Sequence, residues 1–200
     1  LPFALEYRDS DGDLVSANLT VNLVDSTPPD FTIAPISLTE DDFTNPAAVV
    51  GQSQFVVGHQ SDPLVATSAV FADQSATLAR LNGSGISSDG HALTFEFTGD
   101  RLLTGYYLDG NGKRVEVLKA ELTASQHGSD IDGNVTVSLN GPLDHQGSDQ
   151  LSLGLTVSAK EIDGDETRAD LVVSISDGVD PRLGIDSGVT LQEGASGQTL

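Results

Sequence analysis

The sequence predicts an all-β protein built as an antiparallel β-sandwich, and three observations support this prediction. Apolar and polar residues alternate along several segments of the chain. Turn-forming Asp, Asn and Gly residues separate these segments at short intervals, which is typical of β-sandwiches. Hydrophobic residues make up 38% of the chain, so Ile, Val and Leu can build a core although aromatic residues are only 5%.

The clearest predicted strands lie in the middle of the chain. Leu93, Phe95 and Phe97 alternate with Thr and Glu residues, so their side chains share one face of an extended strand. Two further strands show this alternation, carried by Val115 and Val117 and by Val135, Val137 and Leu139. The pattern places Leu118 on the opposite face from Val117. Turn signals separate these strands: Asp89-Gly90, Asp109-Gly110-Asn111-Gly112, Asp132-Gly133-Asn134 and Asn140-Gly141-Pro142.

Residues 66–81 do not alternate clearly. A short helix fits this segment, and its Ser, Thr and Val content makes a strand an equal alternative. The sequence leaves this choice open.

A stretch near the start of the chain recurs near its end. Asp11-Gly12-Asp13 recurs as Asp163-Gly164-Asp165, 152 residues further along the chain. The same offset superimposes similar residues: Leu19 on Leu171, Val21 on Val173, Leu23 on Ile175, Asp25 on Asp177 and Pro29 on Pro181. A period of this length is the size of a domain, so we predict tandem modules.

The repeat divides the chain into three predicted pieces. Residues 1–29 form the last hairpin of one repeat, residues 30–181 a complete β-sandwich repeat, and residues 182–200 the first strand of the following repeat. Because the chain begins without a methionine, we expect it to be a section of a longer protein. Pro28-Pro29 and Pro181 mark the predicted junctions, since proline stiffens a linker and ends a strand ladder.

The pairing within the two terminal hairpins follows from parity, because directly opposed residues share a face of the sheet. An odd-length loop centred on Gly12 pairs apolar residues in the first hairpin: Phe3 with Val21, Leu5 with Leu19 and Tyr7 with Ala17. The same centre in the second copy pairs Leu153 with Ile175, Leu155 with Val173 and Val157 with Leu171. A two-residue type I′ turn at Asp11-Gly12 would oppose apolar to polar residues instead. We therefore expect another role for the acids of these loops.

The acids of both loops alternate along the chain and are candidate metal ligands: Asp9, Asp11 and Asp13, and Glu161, Asp163 and Asp165. A tight loop with three alternating acids directs several oxygens inward, and Ca²⁺ takes about six to eight oxygen ligands. Mg²⁺ fits less well, because it demands octahedral geometry. The loops are not EF-hands, since their glycine is misplaced and no closing Glu follows. Solvated turn acids are the alternative interpretation.

Acids at the far ends of the strands complete a predicted junction site. About 40 Å of strand separates Asp13 from Asp25, at about 3.3 Å per residue, so the loop and the linker lie at opposite ends of a module. We predict a calcium site between neighbouring repeats, formed by Asp25, Asp30 and the 161–165 loop. The corresponding acids of the next junction are Asp177 and Asp180. Weaker candidates for ion binding are Glu40-Asp41-Asp42 and the pair Asp130 and Asp132.

Charge and composition argue against several other functions. The formal net charge is −21, whereas nucleic-acid binding and membrane-surface binding need clustered Lys and Arg. No apolar run approaches the length of a membrane span, and the absence of Cys excludes disulfides and zinc–thiolate sites. No nucleophile motif is present, so we do not expect an enzyme. Four scattered histidines are expected to be surface or turn residues: His59, His91, His127 and His145.

Three motifs follow one another along the chain: Leu38-Thr39-Glu40-Asp41-Asp42, then Gly141-Pro142-Leu143-Asp144-His145, then the Asp-Gly-Asp hairpin with its Val- and Ile-rich last strand. In this order they resemble the long repeats of RTX adhesins, the giant surface proteins that Gram-negative bacteria secrete by type I systems. The resemblance implies an Ig-like or cadherin-like β-sandwich that binds Ca²⁺ and supports cell adhesion and biofilm formation at the extracellular bacterial surface. It also implies two kinds of partner, namely neighbouring repeats of the same chain and an inserted or adjacent ligand-binding domain.

We therefore expect a calcium-stiffened structural extender or scaffold repeat. The alternative is a direct adhesive module that binds a glycan or peptide. Its surface would be Tyr106, Tyr107 and the loop at 109–112, since aromatic rings stack on sugars. Ordinary strand packing is the simpler role for both tyrosines.

Overall fold

The computed structural model describes residues 1–24, 27, 29–42, 47–60, 62–145 and 147–178. The predicted junction residues Asp25, Pro28, Asp180 and Pro181 lie outside these residues, as does the strand predicted within 182–200. In the part of the chain that is described, strands dominate and most pairs are antiparallel, which confirms the predicted all-β class.

Thirteen strands are present among the described residues: β1 Pro2–Arg8, β2 Leu14–Thr20, β3 Ile36–Thr39, β4 Val49–Val57, β5 Val70–Phe71, β6 Ser87–Ser88, β7 His91–Ala92, β8 Thr94–Thr98, β9 Leu102–Leu108, β10 Arg114–His127, β11 Asp130–Leu139, β12 Gln150–Lys160 and β13 Glu166–Ser176. One α-helix, α1, spans Gln74–Asn82, and short 3-10 turns span Glu40–Asp42 and Ala66–Ser68. The ambiguous segment at 66–81 therefore contains a 3-10 turn, the short strand β5 and most of helix α1.

The strands form two larger sheets. One has the order β4-β11-β10-β9-β8 and is antiparallel throughout. The other has the order β3-β13-β12-β5, in which β3 and β13 are parallel and the remaining pairs are antiparallel. Two small antiparallel sheets, β1-β2 and β6-β7, complete the described fold.

Strand β11 shows how the sequence pattern produces the sheet. Its residues alternate between buried and half-buried along the whole strand, and Val135, Val137 and Leu139 are fully buried, as predicted.

Strand β10 departs from its prediction at one point. Its pairing with β9 shifts between Glu116 and Leu118, and this bulge inserts an extra residue. Val117 and Leu118 are consequently both buried, so the prediction that they lie on opposite faces is wrong.

Both larger sheets contribute side chains to one hydrophobic cluster. Val135 and Val137 come from the first sheet, and Leu171 and Val173 come from the second. Complete burial of such a side chain stabilises the fold by about 1.5–3 kcal/mol.

One close approach within the first sheet requires glycine: a Cβ at Gly133 would lie 2.1 Å from the ring of Phe55, its partner on β4.

The β1–β2 and β12–β13 hairpins have the same register at the 152-residue offset. Phe3 pairs with Leu19 in the first hairpin, and Leu155 pairs with Leu171 in the second. The predicted parity is therefore correct in both copies, but each register is two residues away from the prediction. The predicted pairs were Phe3 with Val21, Leu5 with Leu19, Tyr7 with Ala17, Leu153 with Ile175, Leu155 with Val173 and Val157 with Leu171. The loops are centred on Asp11 and Asp163, one residue before the glycine on which the prediction centred them.

The two hairpins differ in burial. Every residue of β1 and β2 is exposed, whereas the inward residues of β12 and β13 are buried. The same positions in the repeat therefore face solvent in one copy and the hydrophobic core in the other.

Candidate metal sites

The loop of the first hairpin is organised around the Asp9 carboxylate. Asp9 Oδ1 accepts hydrogen bonds from the backbone N–H groups of Asp11, Gly12 and Asp13, at N–O distances of 3.3, 3.1 and 2.9 Å. The pKa of Asp9 is lowered, chiefly by a side-chain hydrogen bond with Asp11 and further by these backbone donors. Gly12 has a φ of +102°, a conformation that side-chain-bearing residues rarely adopt, and this explains the glycine.

The loop of the second hairpin has the same closing hydrogen bonds. The N–H of Glu161 donates to the Asp165 carbonyl at 2.8 Å, and the N–H of Asp9 donates to the Asp13 carbonyl at 3.0 Å. Gly164 has a φ of +110° and donates to the Glu161 carbonyl at 3.1 Å, as Gly12 does to Asp9 at 3.3 Å. The repeat seen in the sequence is therefore also a repeat of backbone geometry.

Contacts with a neighbouring segment fix the second loop. Glu161 forms an isolated antiparallel bridge with Leu64, and the Ile162 N–H donates to the Pro63 carbonyl at 3.0 Å. Glu161 is consequently only 2% exposed, while Asp163 is exposed and Asp165 is half-buried. In the first loop all three acids are exposed. The second loop thus places one buried carboxylate beside two accessible ones.

Each loop brings its three predicted acids together. One oxygen from each of Asp9, Asp11 and Asp13 lies within 4.8 Å of the other two, and the same holds for Glu161, Asp163 and Asp165. Three converging carboxylates carry a formal charge of about −3 when ionised, so a cation would relieve their repulsion. Hard oxygen donors suit Ca²⁺, and backbone carbonyls and water can supply the rest of its coordination shell. Both loops therefore offer three carboxylates each, a donor set that suits a hard cation such as Ca²⁺.

Asp177 lies at the other end of the repeat from the 161–165 loop, because strand β13 separates them. Its carboxylate lies within 4.8 Å of ligand atoms from Glu40 and His145. Asp30, predicted to join the junction, is exposed and belongs to no group of three potential ligands among the described residues. Asp25 and Asp180, the other junction candidates, fall outside the described part of the chain.

The weaker candidates Asp130 and Asp132 pair with histidines. Asp130 Oδ1 accepts the backbone N–H of His59 at 2.9 Å and lies 2.5 Å from His59 Nδ1. The hydrogen bond with the His59 side chain is the main cause of the lowered pKa of Asp130. His127 Nδ1 lies 3.3 Å from Asp132 Oδ2.

His145 is the residue that sequence reasoning missed. The sequence predicts a surface or turn position for it, whereas its side chain is buried and the residue is only 7% exposed. The N–H of Leu143 donates to Glu40 Oε1 at 2.8 Å, and His145 Nε2 lies 3.5 Å from the same oxygen. Two of the motifs that carry the family resemblance therefore meet in space. The two motifs are about a hundred residues apart in sequence, so local spacing could not predict this contact.

Tyr106 and Tyr107, the predicted adhesive surface, contact neighbouring side chains. The Arg114 guanidinium lies over the Tyr106 ring at 3.8 Å, and the His91 ring stacks on Tyr107 with ring centroids 4.6 Å apart. These contacts agree with the simpler interpretation of strand packing. Binding of a glycan or peptide at this surface stays a prediction.

Comparison with protein-family models, with curated proteins and with solved structures finds no match to this chain. Among the described residues, no helix has both the length and the apolar character needed to cross a membrane.

Proposed function

We propose that this chain is a calcium-stiffened extender or scaffold repeat of a secreted bacterial surface adhesin of the RTX type. In this proposal its two larger sheets form an Ig-like β-sandwich, and the function is mechanical: repeats in series present an inserted or adjacent ligand-binding domain away from the cell. The chain is exported by a type I system, acts outside the cell in adhesion and biofilm formation, and is not an enzyme.

One observation carries the proposal. Two acidic hairpin loops, 152 residues apart in sequence, share their strand register, their closing hydrogen bonds and a convergent set of three carboxylates. Solvated turn acids have no need to converge, and their mutual repulsion opposes it. The same arrangement recurs in both loops although repulsion between the carboxylates opposes it, and this favours a ligand of the same kind in each loop. Ca²⁺ is the ion whose coordination preferences these oxygens fit.

The exposed first hairpin supports the tandem arrangement. Its apolar residues occupy the positions that are buried in the second hairpin, so it has the side chains of a core strand pair without a core. In the proposal, residues 1–29 complete the sandwich of a preceding repeat. Each acidic loop then lies at one end of its own repeat and faces the linker that leaves the neighbour.

Small-angle X-ray scattering of the 200-residue chain, with Ca²⁺ and with chelator, tests the stiffening. We expect Ca²⁺ to narrow the distribution of particle dimensions around an extended shape, because the ion restricts the orientation of the first hairpin relative to the complete repeat. A variant with Asp11→Asn and Asp163→Asn should not respond. Identical scattering profiles for the wild-type chain in both solutions would overturn the proposed stiffening.

A further inference from the structure

Three potential ligand atoms converge at the end of β13 that is opposite the 161–165 loop. Glu40 directly follows β3 and Asp177 directly follows β13. These two strands are parallel, and Thr39 pairs with Ser176, so their carboxyl ends carry Glu40 and Asp177 to the same place. His145, in the loop after β11, contributes the third atom, and all three atoms lie within 4.8 Å of one another.

The hydrogen bond on the other side of the imidazole fixes its proton. His145 Nδ1 lies 3.1 Å from the Ser148 carbonyl oxygen, which can only accept, so Nδ1 carries the hydrogen. In the neutral ring Nε2 then has a free lone pair, and this atom is buried without a hydrogen-bond partner among the residues that the structure describes. The lone pair lies 3.5 Å from Glu40 Oε1, and the repulsion between these two electron-rich atoms is relieved by a metal ion or by a proton between them.

The donor set selects the kind of cation. Ca²⁺ and Mg²⁺ prefer oxygen, whereas a neutral imidazole beside carboxylates suits Zn²⁺ and the neighbouring transition metals. Metal-binding histidines almost always donate their other ring N–H to a carbonyl or carboxylate, as His145 does to Ser148. Glu40 is held as well, because its Oε1 accepts the Leu143 N–H at 2.8 Å. Tetrahedral zinc ligands lie about 3.3 Å apart, so small side-chain adjustments bring the three atoms within bonding range.

We propose that Glu40, His145 and Asp177 bind a single Zn²⁺ or a neighbouring transition-metal ion, with water in the fourth coordination position. This site does not depend on calcium binding by the hairpin loops, since it shares no residue with them. It would tie the point where the chain leaves β13 to the point where it leaves β3. The segment that follows the last strand of the repeat is thereby anchored to the body of the sheet.

Titration of the 200-residue chain with Zn²⁺, in a constant excess of Ca²⁺, tests the proposal. The excess Ca²⁺ saturates sites made only of oxygen ligands, so the heat of binding reports sites that include nitrogen. The variants below separate the His145 site from the His59–Asp130 and His127–Asp132 pairs. We expect one equivalent of Zn²⁺ to bind. Asp177→Ala and Glu40→Gln should each weaken binding by more than about tenfold, whereas Asp149→Ala, an exposed acid in the neighbouring loop, should bind as the wild type does.

A spectroscopic measurement keeps the test decisive if a variant of the buried His145 does not fold. Co²⁺ in place of Zn²⁺ should give the visible absorption of a low-coordinate site with a nitrogen ligand, and Asp177→Ala should remove it while leaving the circular dichroism unchanged. Asp177 is exposed, so its substitution does not threaten the fold. Equal Zn²⁺ affinity in the wild type and in Asp177→Ala, or complete displacement of the bound ion by Ca²⁺, would overturn the assignment. Neither outcome bears on calcium binding at the loops.

Discussion

Phe3 and Leu19 face each other across the β1–β2 hairpin, and their exposures are 48% and 50%. Leu155 and Leu171, the equivalent pair in β12–β13, have exposures of 3% and 0%. The local sequence pattern and the register are alike, so the difference lies in what covers each hairpin. Matched substitutions in the two copies should therefore have different consequences.

Leu19→Ala should change the free energy of unfolding of the complete repeat by no more than about 0.5 kcal/mol, because the side chain touches little. Leu171→Ala should lower it by about 2–5 kcal/mol, because it leaves a cavity in the core. Urea unfolding followed by circular dichroism compares them. An equal loss of stability in both variants would mean that the first hairpin packs against the rest of the chain.

Gly133→Ala should destabilise the protein by about 1–3 kcal/mol. The added Cβ would lie 2.1 Å from Phe55 Cζ, and a buried ring in a close-packed core has little room to move. Gly110→Ala is the control, because no atom of the described residues lies within 4 Å of its added Cβ. Phe55→Leu should recover part of the stability of Gly133→Ala in a double-mutant cycle. Additive effects of the two substitutions would contradict the predicted contact.

Asp144 holds the turn between β6 and β7. Its Oδ2 accepts the Gly90 N–H at 2.9 Å, and a hydrogen bond with the Ser87 side chain is the main cause of its lowered pKa. Asp144→Ala should reduce the free energy of unfolding by about 1–3 kcal/mol near neutral pH, since it removes acceptors from donors that are partly buried. Asp149→Ala, which removes an exposed acid, should have no measurable effect.

The Asp144 contribution should depend on pH in a defined direction. Its pKa in the folded protein lies below the ordinary value of 3.8, so the carboxylate stabilises the fold above that value. This stability is lost as the pH falls through the lowered pKa. The difference in unfolding free energy between the wild type and Asp144→Ala should therefore shrink below about pH 4. A difference that grows on acidification would contradict the assigned hydrogen bonds.

The sequence predicted which faces of the strands are buried, but it could not predict register. Hydrophobic alternation has a period of two, so a shift of two residues keeps every side chain on its face. The pairings Phe3–Val21 and Phe3–Leu19 are equally consistent with that pattern. The observed choice depends on backbone hydrogen bonds within the loop, such as the one from the Asp9 N–H to the Asp13 carbonyl.

Contacts between residues that are far apart in sequence could not be predicted either. Glu40 and His145 meet only because β3 pairs in parallel with β13 and the loop after β11 folds over their ends. No local spacing encodes this, whereas the two acidic loops were visible because each is complete within five consecutive residues. The sequence therefore predicted the two clusters of carboxylates, but not the cluster among the described residues that includes the His145 imidazole.

Calcium binding by the hairpin loops is tested most directly by thermal unfolding in Ca²⁺ and in EDTA. The wild-type chain should melt about 5–10 °C higher in Ca²⁺, since one ion in the 161–165 loop at about 100 times its Kd stabilises the complete repeat by about 2.7 kcal/mol. A variant with Asp163→Asn and Asp165→Asn should lose most of this difference, while Asp149→Ala should keep it. If the wild-type chain melts at the same temperature in Ca²⁺ and in EDTA, the loops do not bind calcium and the account is wrong.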